Sequence, residues 1–243
     1  MTHLHIPDGV LPVWLWLSGA AVAAVFITAA ARRMSRPPFA RRLPLLSMTA
    51  AFMIVVMSLP IVPGGYDIQL AAVAGIILGP AAAVIAAFVV NLLLALIGHG
   101  GITVVGLNTI IMGSEMAAGW VLFRAFRSFL RPALAGGAAA FLAMVIGTGL
   151  MIGIVTLGLA AVGELPLEHI VVVGRAAHHP SHLAARAGEA SLRNLSIARF
   201  AVLVLIVGSF GWTLESVISA IIVRFIARVK PDLVGLAPVH EPV

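Results

Sequence analysis

The chain has 243 residues, of which 61% are hydrophobic and only 10% charged, with a mean hydropathy of +1.13. A water-bounded fold of this length cannot bury so much apolar surface, so the composition excludes a soluble domain and makes lipid the solvent for most side chains. The lack of cysteine excludes disulfides, thiolate metal sites and thiol nucleophiles together. The 15 Lys and Arg against 9 Asp and Glu gather at the ends of apolar segments, so they read as topology signals rather than as a nucleic-acid surface.

Backbone groups in hydrocarbon must be paired internally, and the apolar segments are too long and uniform for barrel strands, so the expected class is an all-α polytopic membrane bundle. The chain opens MTHLHIPDGVLP. Two histidines precede Ile6-Pro7-Asp8-Gly9, a turn composition, which leads into a first apolar segment from Pro12 to Ala31. That segment has no basic residue before it and is followed by Arg32, Arg33, Arg36, Arg41 and Arg42, the reverse of a cleavable signal peptide, and none is expected. A second span runs from Leu43 to Ile61. After the turn PGGYDIQ at 63–69, the stretch from Ile68 to Ile97 is apolar throughout but broken by Gly79-Pro80. Proline lacks the N–H needed inside a helix and suits a first turn, so two helices are expected here, the first unusually short. A single long helix kinked at Pro80 is the alternative, with six spans in all.

The turn GHGG at 98–101 leads to a span from Ile102 to Phe126, with Arg124, Arg127 and Arg131 at its end. Ala133 to Val162 follows. The segment 163–197, which contains AAHHPSHLAARAGEA, is polar, Ala-rich and without strong periodicity, and is expected to be a mobile outer loop. The last span, Ala198 to Ala227, ends in Arg224, Arg228 and Lys230. Short cytoplasmic loops retain Arg and Lys; seven helices starting outside place all three basic clusters in the cytoplasm, whereas six would divide them. The expectation is therefore one membrane domain over 1–243, with the amino terminus outside and the carboxy terminus cytoplasmic. Seven of the eight histidines then face outward, His240 being the exception.

A histidine close to a free amine supplies a particular donor set. Amine, deprotonated amide and imidazole bind one divalent cation in a plane and leave a position for another donor, an arrangement suited to late first-row metals such as Ni(II) and Cu(II). A solvated terminal side chain is the bland alternative. The passage through a turn directly into a membrane helix favours a terminus folded back against the bundle.

HIPDGVLP, then LGP at 78–80, HGGITVVGLNT at 99–109 and GWTLESVISAIIVRFIARVKPDLV at 211–234, in that order, resemble the membrane-embedded substrate-capture subunit, or S component, of cobalt and nickel energy-coupling-factor transporters, the CbiM/NikM family. The similarity extends over most of the chain and leaves out 163–197. It implies a seven-helix protein whose amino terminus plugs back into the bundle from outside. The metal is held by the terminal amine, the amide and side chain of the second residue, and a histidine from the loop before the third helix. His5 occupies the place of the second residue. Leu4 stands where the family has its initiating Met, and three residues precede it. Leu4 could itself be the start if its codon is UUG; removal of Met1 would instead leave Thr2-His3 as the terminal pair; retention of Met1 would place His3 third. These routes divide the ligand role between His3 and His5. Where the family has the loop histidine, this chain has Gln69, with Asp67 two residues earlier. Asp67 could supply an oxygen ligand or remain a solvated carboxylate. His99 matches the family's HGG segment, either as a ligand or as support for one.

Asn91, Asn108, Glu115 and Glu215 lie in or near apolar helices, where polar groups tend to face the bundle interior. Glu215 is expected to pair with a helix-capping donor or an arginine. Asn108 and Glu115, seven residues apart, share a face of the fifth helix, where interhelical hydrogen bonding is expected. His178, His179 and His182 form HHPSH, read as a solvated segment before a metal-gathering one.

The favoured function is a binding subunit that captures Co2+ or Ni2+ outside the cell, the metal being cargo with no resident cofactor. The chain contains no GxxxxGK[ST] phosphate loop, so ATP hydrolysis is assigned elsewhere. The resemblance implies a membrane scaffold (T) subunit, two cytoplasmic ATPase subunits and a small accessory membrane subunit as partners in the lipid bilayer, and no nucleic acid. Two rivals are an S component for another ion or chelate, and an intramembrane metal-dependent hydrolase using His99 and Glu115. The absence of HExxH, GxSxG or a paired acidic motif speaks against the hydrolase.

Overall fold

The computed structural model describes residues 6, 8–9, 11–36, 42–58, 68–162 and 197–236. Among them every regular element is helical: α1 (Val13–Met34), α2 (Leu43–Ser58), α3 (Ala71–Leu78), α4 (Pro80–Leu96), α5 (Val105–Phe126), α6 (Pro132–Val162) and α7 (Ile197–Val229), closed by a 3-10 turn at Pro231–Val234. Four of these have the length and apolarity to cross a bilayer alone, while α2 and α4 are shorter and equally apolar. Seven helices agree with the sequence expectation, and the break falls at Gly79-Pro80: Gly79 closes α3 with φ +75°, and Pro80 opens α4 at its first position. The expected outer loop lies outside the described residues except for Ile197, which begins α7.

Two boundaries differ from expectation for identifiable reasons. The fifth helix begins at Val105 rather than Ile102, because the N–H groups of Ile102 and Thr103 are engaged by the Asp8 carboxyl and do not enter the helix. The third begins at Ala71 rather than Ile68, because Leu70 is left-handed at φ 53°, ψ 23°, the one described non-glycine residue with positive φ. That conformation costs about 1–2 kcal/mol for an L side chain, and a buried contact holds it, as described below.

The helix α5 is the hub of the bundle, packed on α1, α3, α4 and α6, with α7 against α6. Its approach to α3 is the closest: a Cβ on Gly75 would fall 1.9 Å from the Met116 carbonyl oxygen, and one on Gly119 would fall 2.9 Å from Ala72 Cα. Apolar burial does not drive helices together in lipid, so small residues that admit backbone contact supply the packing instead. The short α3 follows the same logic, with seven of its eight residues buried, as a half-length helix in a membrane protein must be. Of the described arginines, all but Arg199 in the first turn of α7 fall at one end of this bundle: Arg32 and Arg33 in the last turn of α1, Arg36 just after it, Arg42 before α2, Arg124, Arg127 and Arg131 around the α5–α6 connection, and Arg224 and Arg228 in the last turns of α7.

Replacing Gly75 by alanine forces α3 and α5 apart and is expected to destabilise the bundle by about 1–3 kcal/mol or more, as overpacking does. Gly149→Ala, where nothing lies within 4 Å of the added carbon, is expected to be neutral or slightly stabilising, since alanine is the better helix former. Thermal unfolding of the two variants in one detergent tests the contrast.

Candidate functional site at the amino-terminal end

The amino-terminal segment is docked into the bundle at Ile6. Its side chain is 3% exposed and packs with Leu11, Leu15, Val104, Leu107, Met151, Val155 and Val204, drawn from α1, α5, α6, α7 and the flanking turns. A buried segment with no helix or strand to join must find other partners for its backbone. Asn108, in the first turn of α5, provides both: its Oδ1 accepts from the Ile6 N–H at 3.2 Å, and its Nδ2 donates to the Ile6 carbonyl at 3.3 Å. A carboxamide has one acceptor and one donor edge, so it pairs with a peptide unit as a neighbouring strand would.

Two residues on, the chain is fastened a second time. Asp8 Oδ2 accepts from the Ile102 N–H at 2.9 Å and Oδ1 from the Thr103 N–H at 2.8 Å, with the Thr103 hydroxyl donating to the same oxygen. Gly101 makes room for this contact, since a Cβ there would fall 2.5 Å from both the Asp8 nitrogen and Oδ1. Burial pushes the Asp8 carboxyl up, but the hydrogen bonds from Thr103 and Ile102 outweigh it and hold the group below its ordinary value.

A third polar side chain fastens the start of α3. Glu215, fully buried in α7, accepts from the Leu70 N–H at 2.7 Å through Oε1 and from the Gln69 N–H at 3.3 Å through Oε2. It is the helix-capping partner expected for this residue, and it explains why Leu70 tolerates its left-handed backbone. Asn108 corrects the expectation of interhelical bonding, because its partner is the backbone of the amino-terminal segment. Glu115 lies elsewhere on α5, in contact with the position of Gly147 on α6.

Of the candidate ligands, His3, Leu4, His5 and Asp67 lie outside the described residues. Gln69 is 5% exposed and sits beneath Glu215 at the entrance to α3. The His99 side chain is exposed in the turn after α4, and its backbone N–H closes that helix on the Leu94 carbonyl at 2.8 Å. It precedes by two residues the Gly101 position against which Asp8 docks. Among the described residues, no group of three or more His, Asp or Glu comes together. The structure therefore brings His99 near the Asp8 clamp and keeps Gln69 at a separate anchoring point. The sequence reading missed Asp8 and Thr103 as clamp partners; the signal available for them was a turn carboxylate in IPDG facing a Gly-rich turn that has backbone donors to spare.

Residues 5–233 match the family described as the cobalt uptake substrate-specific transmembrane region, CbiM. The chain belongs to this family. Family relatives include the fused nickel transport protein NikMN of Rhodobacter capsulatus, 40% identical over 124 residues, which are 47% of this chain and 35% of that protein. The cobalt transport protein CbiM of Geobacter sulfurreducens is 35% identical over 136 residues, 51% of this chain and 38% of that protein. The matched segments thus span little more than a third of those two relatives. The fold is shared with a crystallised truncated transition metal transporter, at a TM-score of 0.67 and 19% identity over 94% of this chain and 99% of that one. The family is one of membrane transport components rather than enzymes.

The Asn108→Ala variant leaves both polar groups of Ile6 unpaired, a loss of about 1–3 kcal/mol. Hydrogen–deuterium exchange over the first dozen residues is expected to rise in this variant while the α3–α5 contact stays protected. Since the Asp8 pKa is lowered in the folded state, its stabilising contribution is full above the ordinary carboxylate value and is lost as pH falls through the lowered one. Limited proteolysis of the amino-terminal segment should accordingly increase only in that acid range, and Asp8→Asn should remove this pH dependence.

Proposed function

We propose that this chain is the substrate-capture subunit of an energy-coupling-factor importer, taking a divalent transition metal, cobalt or nickel, at its amino-terminal segment. The observation that carries the reading is the pairing of Ile6 with Asn108, which fixes both backbone groups of the residue that directly follows the candidate donors in sequence. His3, Leu4 and His5 are those residues, and a terminal amine, peptide amides and an imidazole are the donors they offer. The Asp8 clamp stiffens the same segment from its other side, which lowers the ordering cost of binding. Asp67, Gln69 and His99 are the candidates for the remaining position. The names of the relatives, nickel and cobalt transport proteins, agree with this cargo.

In this reading the arginine-rich end faces the cytoplasm and the amino-terminal end faces outward, as the distribution of basic residues favours. Capture then precedes transport driven by other subunits: a membrane scaffold, two ATPases and a small accessory membrane protein.

The test is to establish the mature amino terminus by intact mass and then to titrate the protein calorimetrically with Ni(II) and Co(II), with and without one residue added before that terminus. The extension is expected to weaken binding by about 10–100-fold or more, as removal of a ligand or of its immediate support does. Unchanged binding would overturn the terminal site and direct the search to Asp67, His99 and the HHPSH segment.

A further inference from the structure

At the opposite end of the bundle, a groove of about 530 Å³ opens between the start of α6 and the last turns of α7. Three arginines line it: Arg131 immediately before α6, and Arg224 and Arg228, one turn apart on α7. Pro132, Leu134 and Leu236 form apolar wall. We propose that this groove binds the headgroup of an anionic phospholipid, with the acyl chains running along the α6 and α7 surface.

The arginines differ in how they are used. Arg127 donates to the carbonyls of Val234 and Gly235 and pins the final turn, and Arg124 stacks over the Trp120 ring at 4.9 Å. By contrast, Arg131, Arg224 and Arg228 have no hydrogen bond, ion pair or ring contact with any described residue. Asp232, the acidic residue that follows them in sequence, pairs with none of the three. Some of the positive charge on α7 complements the negative end of its helix dipole. Arg131 stands at the positive end of α6 and has no such role, so the N–H groups of Ala133 and Leu134 in the first turn of α6 add to the same attraction for an anion.

The setting favours lipid over a water-soluble anion. Leu134 is 60% exposed within the groove, and Phe129, Phe225 and Val229, each one or two residues in sequence from one of its arginines, are 64–70% exposed. Large apolar groups next to unpaired guanidinium groups at helix ends match the two halves of a phospholipid at the interface. Guanidinium also suits a phosphodiester through paired N–H donors.

The experiment uses the full chain in lipid nanodiscs and in uncharged detergent, with native mass spectrometry counting retained phosphatidylglycerol against phosphatidylcholine. The wild type is expected to retain phosphatidylglycerol preferentially. Each arginine near the surface is worth about 5-fold in affinity for an anionic lipid, so R131Q/R224Q/R228Q should lose on the order of 100-fold and R228Q alone about 5-fold. The lysine-substituted triple variant should keep most of the preference, and R32Q/R36Q, which removes charge from the same end outside the groove, should keep all of it. Retention of the preference in the glutamine triple, or an equal loss in R32Q/R36Q, would overturn the site. Displacement of the lipid by millimolar inorganic phosphate would also overturn it, in favour of a free-anion site. A glutamine triple that keeps the lipid but no longer copurifies with the other transporter subunits would overturn it in favour of a protein contact. Thermal unfolding in uncharged detergent shows whether the triple variant is folded; if it is not, R228Q decides the matter.

Discussion

The structure depends on one constraint: a backbone N–H or C=O inside an apolar bundle must have a partner, because neither lipid nor water supplies one there. At three places among the described residues where the chain leaves regular helix, a polar side chain meets that demand. Glu215 holds the two N–H groups that lead into α3, Asn108 holds both polar groups of Ile6, and Asp8 holds two N–H groups of the turn before α5. These three residues come from different elements and act in the same way. Each fixes an irregular segment that the hydrophobic pattern alone would leave undetermined.

The consequences reach the candidate site from two directions. The Glu215 contact allows a left-handed Leu70 and hence a half-length α3, which in turn packs its backbone on α5 through Gly75 and Gly119. The same α5 presents Asn108 at its first turn, so the helix that receives α3 also receives the amino-terminal segment. A rigid hub with close backbone contacts is a suitable base for a binding segment, because a ligand set must be held within fractions of an ångström to be selective. The two ends of the molecule then differ in character: carboxyl and amide groups organise backbone at one, and arginines gather at the other.

Much of this architecture was legible in the residues. Apolar run lengths, the Gly79-Pro80 break and the placement of the arginines are local or additive features, and the helices follow them to within a few positions. The capping role of Glu215 was also within reach, since a carboxyl deep in an apolar helix has few affordable alternatives to backbone donors. The partner of Asn108 was not. Its spacing from Glu115 suggested a shared interhelical face, but spacing along one helix carries no information about which distant segment arrives beside it. The start of α5 was displaced by three residues for the same reason, because Asp8 lies more than ninety positions away in sequence.

By itself the sequence determined the solvent, the helical class, the number of helices and the family, because apolar composition, span length and ordered motifs all act without reference to long-range contacts. It also supplied the candidate donors His3 and His5. Only the tertiary structure decided how the irregular segments are held: Ile6 on Asn108 and Asp8 on Ile102 and Thr103 at the amino-terminal segment, and Gln69 under Glu215 at the start of α3. Those pairings join residues about a hundred or more positions apart. They exist because folding brings unsatisfied backbone groups against the few polar side chains able to meet them.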